Sequence, residues 1–160
     1  MNKGISVKLI AINAMIAGVY AVLTLVLSPI AYLEVQCRLS EVMVFLAFYN
    51  KRYIPGLVIG CLLANIPSPL GMMDICFGTI STLLVCIAMY YIKNRYIAAI
   101  AGSIITGIII GAELYYAFEI PFLINAFYVF IGELIILVIG AKLFELVENN
   151  KKLNSYIMES

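Results

Sequence analysis

The sequence has no histidine and no tryptophan, and little charge of either sign. Lys and Arg number 10 and Asp and Glu 9 among 160 residues. Charged residues make up 12% of the chain, against about a quarter in a soluble domain, which excludes a water-soluble globule. Without histidine there is no imidazole acid–base chemistry, and most zinc sites are excluded. The net charge of +1 excludes the basic footprint of a nucleic-acid binder. The dipeptide Gly-Lys never occurs, so no Walker-type phosphate loop is present, and any ATP would be bound by another chain. Cys37, Cys61, Cys76 and Cys86 form no Cys-x-x-Cys and no metal-ligand spacing. They read as small apolar residues of membrane helices, with Cys37 and Cys76 the pair that could meet. No nucleophile constellation is visible, so no catalytic residue, metal or cofactor is expected and an enzyme is disfavoured.

What the chain has instead is apolar length: 64% of its residues are hydrophobic and the mean hydropathy is +1.08. A helix needs about 20 mostly apolar residues to cross a bilayer. Leu9 to Leu33 supplies one uncharged stretch, Tyr53 to Met73 a second that Pro67 and Pro69 interrupt, Ile75 to Ile92 a third and Tyr96 to Ala112 a fourth. The last span runs from near Pro121 to Lys142 and contains Glu133. Leu39 to Asn50 is short and carries Glu41, but basic residues require it to span. Lys3 and Lys8, Lys51 and Arg52, Lys93 and Arg95, and Lys142, Lys151 and Lys152 form four clusters. These alternate with loops holding only Arg38. Cytoplasmic loops collect Lys and Arg, and six spans place all four clusters inside.

The expected architecture is therefore all-α: one membrane domain over 1–160, a compact bundle of six helices at about 8–28, 39–50, 53–66, 74–92, 97–117 and 121–146, with both termini cytoplasmic. The first span is too long for a signal peptide, and Pro29 stands where cleavage would fall, so it is expected to stay uncleaved. The 11 Tyr take over interface anchoring in the absence of Trp. Small residues four apart let helices approach closely. Ala14 with Gly18 and Ala17 with Ala21 mark the first helix, Gly56, Gly60 and Ala64 the third, and Ser103, Gly107 and Gly111 the fifth. No inverted repeat is visible.

The acids are distributed asymmetrically. In this topology Glu34, Glu41, Asp74, Glu113 and Glu119 lie in the outer half or outer loops and Glu133 near mid-membrane, against Arg38 alone. Ionisable groups within a membrane are costly and face a cavity or a partner, so a polar pocket open to the outside is expected. Asp74 could instead cap a fourth helix beginning at Ile75, and Arg38 could pair with Glu34 or Glu41 across a loop. On the fifth helix Gly102, Thr106, Glu113 and Tyr116 share a stripe, and on the sixth Asn125, Tyr128 and Gly132 share a face with Glu133 at its edge. Carboxylates, an amide and aromatic rings suit a planar, hydrogen-bonding heterocycle, with two N–H groups on a carboxylate and tyrosine on the ring face. Asn65, Pro67, Ser68 and Pro69 form a turn-rich loop that could act as a lid. Polar residues that stop near mid-membrane favour a blind pocket over the pore of a small oligomeric channel.

The run Gln36-Cys37-Arg38-Leu39-Ser40-Glu41 resembles the Q-x-R-x-S-E signature of QueT-type proteins. These are substrate-binding S components of energy-coupling factor (ECF) transporters. Asn65, Pro69-Leu70-Gly71, Asp74 and Phe77-Gly78 resemble the family's second block, and Gly132-Glu133-Leu134 its third, so the likeness extends over about 8–146. The resemblance implies a multi-pass protein of a prokaryotic cell membrane that captures a 7-deazaguanine precursor of queuosine, such as preQ0, preQ1 or queuine. It implies a transmembrane coupling subunit and two cytoplasmic ATPases as partners, with ATP hydrolysis in that assembly driving uptake. It also implies that Ala14, Ala17, Gly18 and Ala21 form the face that meets the coupling subunit. An S component for another vitamin is the alternative within the class. The expected substrate-binding residues are Glu113, Glu133, Glu41, Arg38, Asn65, Asp74, Tyr116, Asn125 and Tyr128.

Overall fold

The computed structural model describes residues 6–27 and 38–149. Glu34, Gln36, Cys37, Lys3, Lys151 and Lys152 lie outside them. Among the described residues there are six α-helices and no strand: α1 (Val7–Val26), α2 (Phe45–Tyr49), α3 (Ile54–Asn65), α4 (Met72–Tyr91), α5 (Arg95–Phe118) and α6 (Phe122–Asn149). Helices α1, α4, α5 and α6 are long and apolar enough to cross a membrane.

The second predicted span is where the structure departs from expectation. In place of one helix over 39–50 it has a 3₁₀ segment, Leu39–Val44, running into the five-residue α2. Together they rise about 20 Å, short of the ~30 Å hydrocarbon core. The third span is also short. A 3₁₀ turn, Lys51–Tyr53, precedes α3, whose 12 residues rise about 18 Å. Asn50 breaks the chain between α2 and that turn, its backbone extended and its side chain accepting from the Arg52 N–H at 3.0 Å.

Element ends follow local chemistry. Pro55 sits in the first turn of α3, where its missing N–H costs nothing. Asn94 caps α5 by accepting from the N–H groups of Tyr96 and Ile97 at 3.0 and 3.2 Å. Glu119 ends α5 in the left-handed region at φ 57°. Gly71, also at φ 57°, turns the chain into α4.

The helices pack in the order α1, α3, α4, α5, α6, and the 39–49 segment lies inside, against α1, α4 and α6. Its Val44, Phe45 and Ala47 are fully buried and join Tyr20, Leu57, Val85, Met89 and Leu137 in the core. Small residues permit the close approaches, as their spacing predicts. A Cβ at Gly60 would fall 2.8 Å from Tyr20 Cβ and 3.0 Å from Ala17 Cα, and one at Gly111 2.7 Å from Ala126 Cα. The outward faces are equally apolar, with Met15, Val19 and Val22 exposed on α1 and Ile97, Ile100, Ile104 and Ile108 on α5. Helices apolar on every face belong in a bilayer.

Ala14, Ala17, Gly18 and Ala21 do not form one face. Ala17 and Ala21 are buried, Ala17 against Gly60 of α3, whereas Ala14 and Gly18 are exposed and nothing approaches a Cβ at Gly18 within 4 Å. A three-residue step turns an α-helix by about 300°, so the 14/18 and 17/21 pairs lie about 60° apart. That is enough to send one pair inward and leave the other outside. Among the described residues Cys61, Cys76 and Cys86 are free thiols, and the possible pairing of Cys76 with Cys37 lies outside those residues.

Candidate functional site: a cleft of buried carboxyls

Two polar clusters meet where the 3₁₀ segment faces α4, α5 and α6. The first is centred on Arg38, which begins that segment. Its Nη2 donates to Asp74 Oδ1 at 2.8 Å and its Nη1 to Asn65 Oδ1 at 2.9 Å. Asn65 Nδ2 donates onward to the Asp74 carbonyl at 2.9 Å, and the Ser68 hydroxyl bonds to Asp74 Oδ2. Arg38, Asn65 and Asp74 are all buried. Asp74 does not cap α4, because that helix begins two residues earlier, at Met72. It stands in the first turn and takes Arg38 as its partner. Ser68 ties the turn-rich loop down onto the same carboxylate.

The second cluster surrounds Glu41. Its Oε1 accepts from the Tyr20 hydroxyl of α1 and from Thr82 Oγ1 of α4 at 3.3 Å. Oε2 has no hydrogen-bond partner. Thr24 and Ser40 share a bond of 2.7 Å alongside. Across a small cleft stands Glu133 of α6, 2% exposed, whose Oε1 is likewise unpartnered. Arg38, Glu41, Gly78, Ser81, Thr82, Thr106, Ile110 and Glu133 line the cleft. Its interior of about 10 Å³ is the space of about one water. Glu113, one turn beyond Ile110, is fully buried and faces Asp74 and Arg38. Neither of its oxygens makes a hydrogen bond of proper geometry.

The structure thus brings together Glu41, Glu133, Glu113, Arg38, Asn65 and Asp74. It leaves out Tyr116, Asn125 and Tyr128. Tyr116 is 69% and Tyr128 53% exposed, and each ring packs on its chain neighbour, Tyr115 or Phe127. Tyr128 stands five residues before Glu133, about 140° around the helix, so an inward Glu133 turns it outward. Asn125 is buried, but its amide donates to the Ile120 carbonyl at 3.3 Å, closing the entry to α6. Sequence reasoning missed Tyr20, Ser81 and Thr82. The available signal was a phenol and adjacent hydroxyls inside otherwise apolar spans, which need a buried acceptor.

Long apolar helices closed around a cleft of carboxyls and hydroxyls define a membrane protein with a polar interior. The chain belongs to the QueT transporter family, whose description matches residues 10–149. It is 32% identical over 158 residues to a protein of Lactococcus lactis subsp. cremoris (strain MG1363) named queuosine precursor transporter QueT. That alignment takes in 88% of this chain and 92% of the relative. No solved structure matches the chain.

Proposed function

We propose that this protein captures a 7-deazaguanine precursor of queuosine at the membrane, as the S component of an ECF transporter. In this reading the chain is one membrane domain of six spans with both termini in the cytoplasm of a prokaryotic cell. Its two short elements are completed by their neighbours, since the 39–49 segment lies inside the bundle. A transmembrane coupling subunit and two ATPases supply the energy. Ala14 and Gly18, the exposed half of the small-residue pattern, offer the coupling subunit a surface for close approach.

The observation that carries the reading is the cleft itself, in a chain whose relative is named for queuosine precursors. Glu133, beside hydroxyls from α4 and α5, and Glu113, beside Asp74 and Arg38, are buried with unpartnered oxygens. A carboxyl so placed can meet the N–H edge of a guanine-like ring, which no exposed acid does as well. Arg38, held from behind by Asn65 and Asp74, forms one wall and Glu41, fixed by Tyr20 and Thr82, another. Ligand pockets hold about 300–1,000 Å³, so the cleft widens as the ring enters.

Calorimetric titration of 7-aminomethyl-7-deazaguanine into the purified protein tests this. Removing one partner of a buried charged contact costs roughly 2–5 kcal/mol, or about 30- to several-thousand-fold in Kd. Glu133→Gln or Glu113→Gln should show such a loss, and Tyr116→Ala should stay within about threefold of the parent. Both Gln variants binding like the parent would overturn the assignment of the carboxyls. No binding by the parent would overturn the ligand class.

A further inference from the structure

Arg38 is the one cation lining the cleft among the described residues, and Asp74 already holds it at 2.8 Å. The remaining acids must be balanced in some other way. Glu133 of α6 faces Glu41 and Arg38. Glu41 faces Tyr20 of α1, Thr82 of α4 and Arg38, with Cys61 of α3 and Cys86 of α4 close by. Glu113 of α5 faces Asp74 and Arg38. Glu41 has two hydroxyl donors. The unpartnered oxygens of Glu133 and Glu113 have none. A buried carboxylate with an oxygen that no donor meets, beside a cation that Asp74 already holds, is costly, and taking up a proton is the cheaper state.

We propose that the cleft exchanges a proton for a ligand's positive charge. Without ligand, Glu133, with Glu113 behind it, holds a proton. A heterocycle carrying an ammonium group displaces that proton, so the buried charge stays constant. The exchange is balanced: the carboxylic acid and the alkylammonium become an ammonium–carboxylate pair, and one proton leaves to bulk water. A neutral heterocycle of the same shape enters without releasing one, since a protonated carboxyl can still donate to a ring nitrogen and accept from an adjacent N–H. The site therefore favours a cationic 7-deazaguanine, and increasingly so as pH rises, by up to tenfold per unit while the unliganded carboxyl remains protonated.

The proposal rests on the reading of the cleft as a 7-deazaguanine site, and one experiment separates the two. The full chain in detergent is titrated with 7-aminomethyl-7-deazaguanine, which is cationic, and with 7-cyano-7-deazaguanine, which is neutral. Titrations at pH 6 and pH 7, in buffers of different ionisation enthalpy, count the protons released. About one proton is expected with the aminomethyl ligand and none with the cyano ligand. The Kd of the aminomethyl ligand should fall by up to tenfold from pH 6 to pH 7, while that of the cyano ligand stays level. Both ligands binding with equal proton release, or with parallel pH dependence, overturns proton exchange and leaves the site standing. Neither ligand binding overturns the reading of the site and the exchange with it. In Glu133→Gln, proton release with the aminomethyl ligand should drop towards zero. Release that persists undiminished in both Glu133→Gln and Glu113→Gln overturns the assignment to these residues. The parent comparison decides the matter should either variant fail to fold.

Discussion

Gly78→Ala sets two opposed effects against each other at the most crowded point of the site. In an exposed helix interior, alanine gains about 1 kcal/mol over glycine, and Gly78 lies within α4. Here, however, a Cβ would fall inside van der Waals contact of Asn65 Nδ2 and 3.4 Å from Arg38 Nη1. The Asn65 amide is pinned at both ends, by Arg38 at 2.9 Å and by the Asp74 carbonyl at 2.9 Å. It cannot give way without losing bonds worth about 1.5–3 kcal/mol for the charged one and 0.5–1.5 kcal/mol for the other. Staying in place costs about 1–3 kcal/mol in overpacking. The cheaper response sets the outcome, and overpacking less the alanine gain leaves a net loss of about 0–2 kcal/mol. The matched control is Gly18→Ala, where nothing lies within 4 Å of the new carbon, and which should be neutral or gain up to about 1 kcal/mol. Stability can be read by titrating SDS into mixed micelles and following thiol labelling of the buried Cys61 and Cys86, in a background carrying Cys37→Ser and Cys76→Ser. In an Asn65→Ala background the penalty of Gly78→Ala should shrink by at least about 1 kcal/mol, because the clash and its cause disappear together. A Gly78→Ala protein as stable as Gly18→Ala, or a penalty unchanged without Asn65, would refute the geometry.

Two further outcomes are expected from the same packing. Ala17→Leu should destabilise the protein by about 1–3 kcal/mol or more by overpacking α1 against Gly60, whereas Gly18→Leu should leave stability and ligand binding intact and block co-purification with a coupling subunit; equal stability of the two variants would contradict the division of the small-residue pattern. Asn13→Ala removes the acceptor of the Gly56 N–H at 2.7 Å and the donor to the Arg52 carbonyl at 3.0 Å, and should cost about 1–3 kcal/mol in the same denaturation assay, a loss under about 0.5 kcal/mol showing that the bridge between α1 and α3 contributes little.

How far the sequence revealed this arrangement depends on which periodicity governs each part. The long helices were legible because composition alone decides them: an uncharged apolar stretch has one stable conformation in a bilayer. Their ends fall within a few residues of expectation, with Asn94 and Pro55 as visible signals. That Gly60 and Gly111 sit at close approaches followed from small residues at four-residue spacing, whereas their partners, Ala17 and Ala126, emerge only in the fold. The convergence of Glu41, Glu113 and Glu133 was legible for a different reason, since a buried charge in a membrane rarely stands alone. The aromatic rings were not. Tyr116 and Tyr128 have the chemistry of a ligand's partner, but which side of a helix faces inward is set by tertiary packing. A helix apolar all round offers no amphipathic stripe to reveal it. The ion pair of Arg38 with Asp74 was illegible as well, because Glu34 and Glu41 were the acids near it in sequence and only the fold brings Asp74 to it.

The break in the second predicted span accounts for the position of the site. In a 3₁₀ helix, residues three apart eclipse one another. Arg38, whose extended backbone leads into the Leu39–Val44 segment, and Glu41, whose N–H donates to the Arg38 carbonyl at 3.0 Å, both line the cleft. The segment leads on to Val44 and Phe45, both fully buried in the core, so apolar packing at its far end holds the polar residues in register. The cost of this poorer backbone geometry is offset by Tyr20, Thr82 and Asp74, which bind the two side chains from α1 and α4. A short, tightly wound element buried among long ones places a cation and an acid side by side within the bundle, a position that two straight membrane-crossing helices would leave apolar.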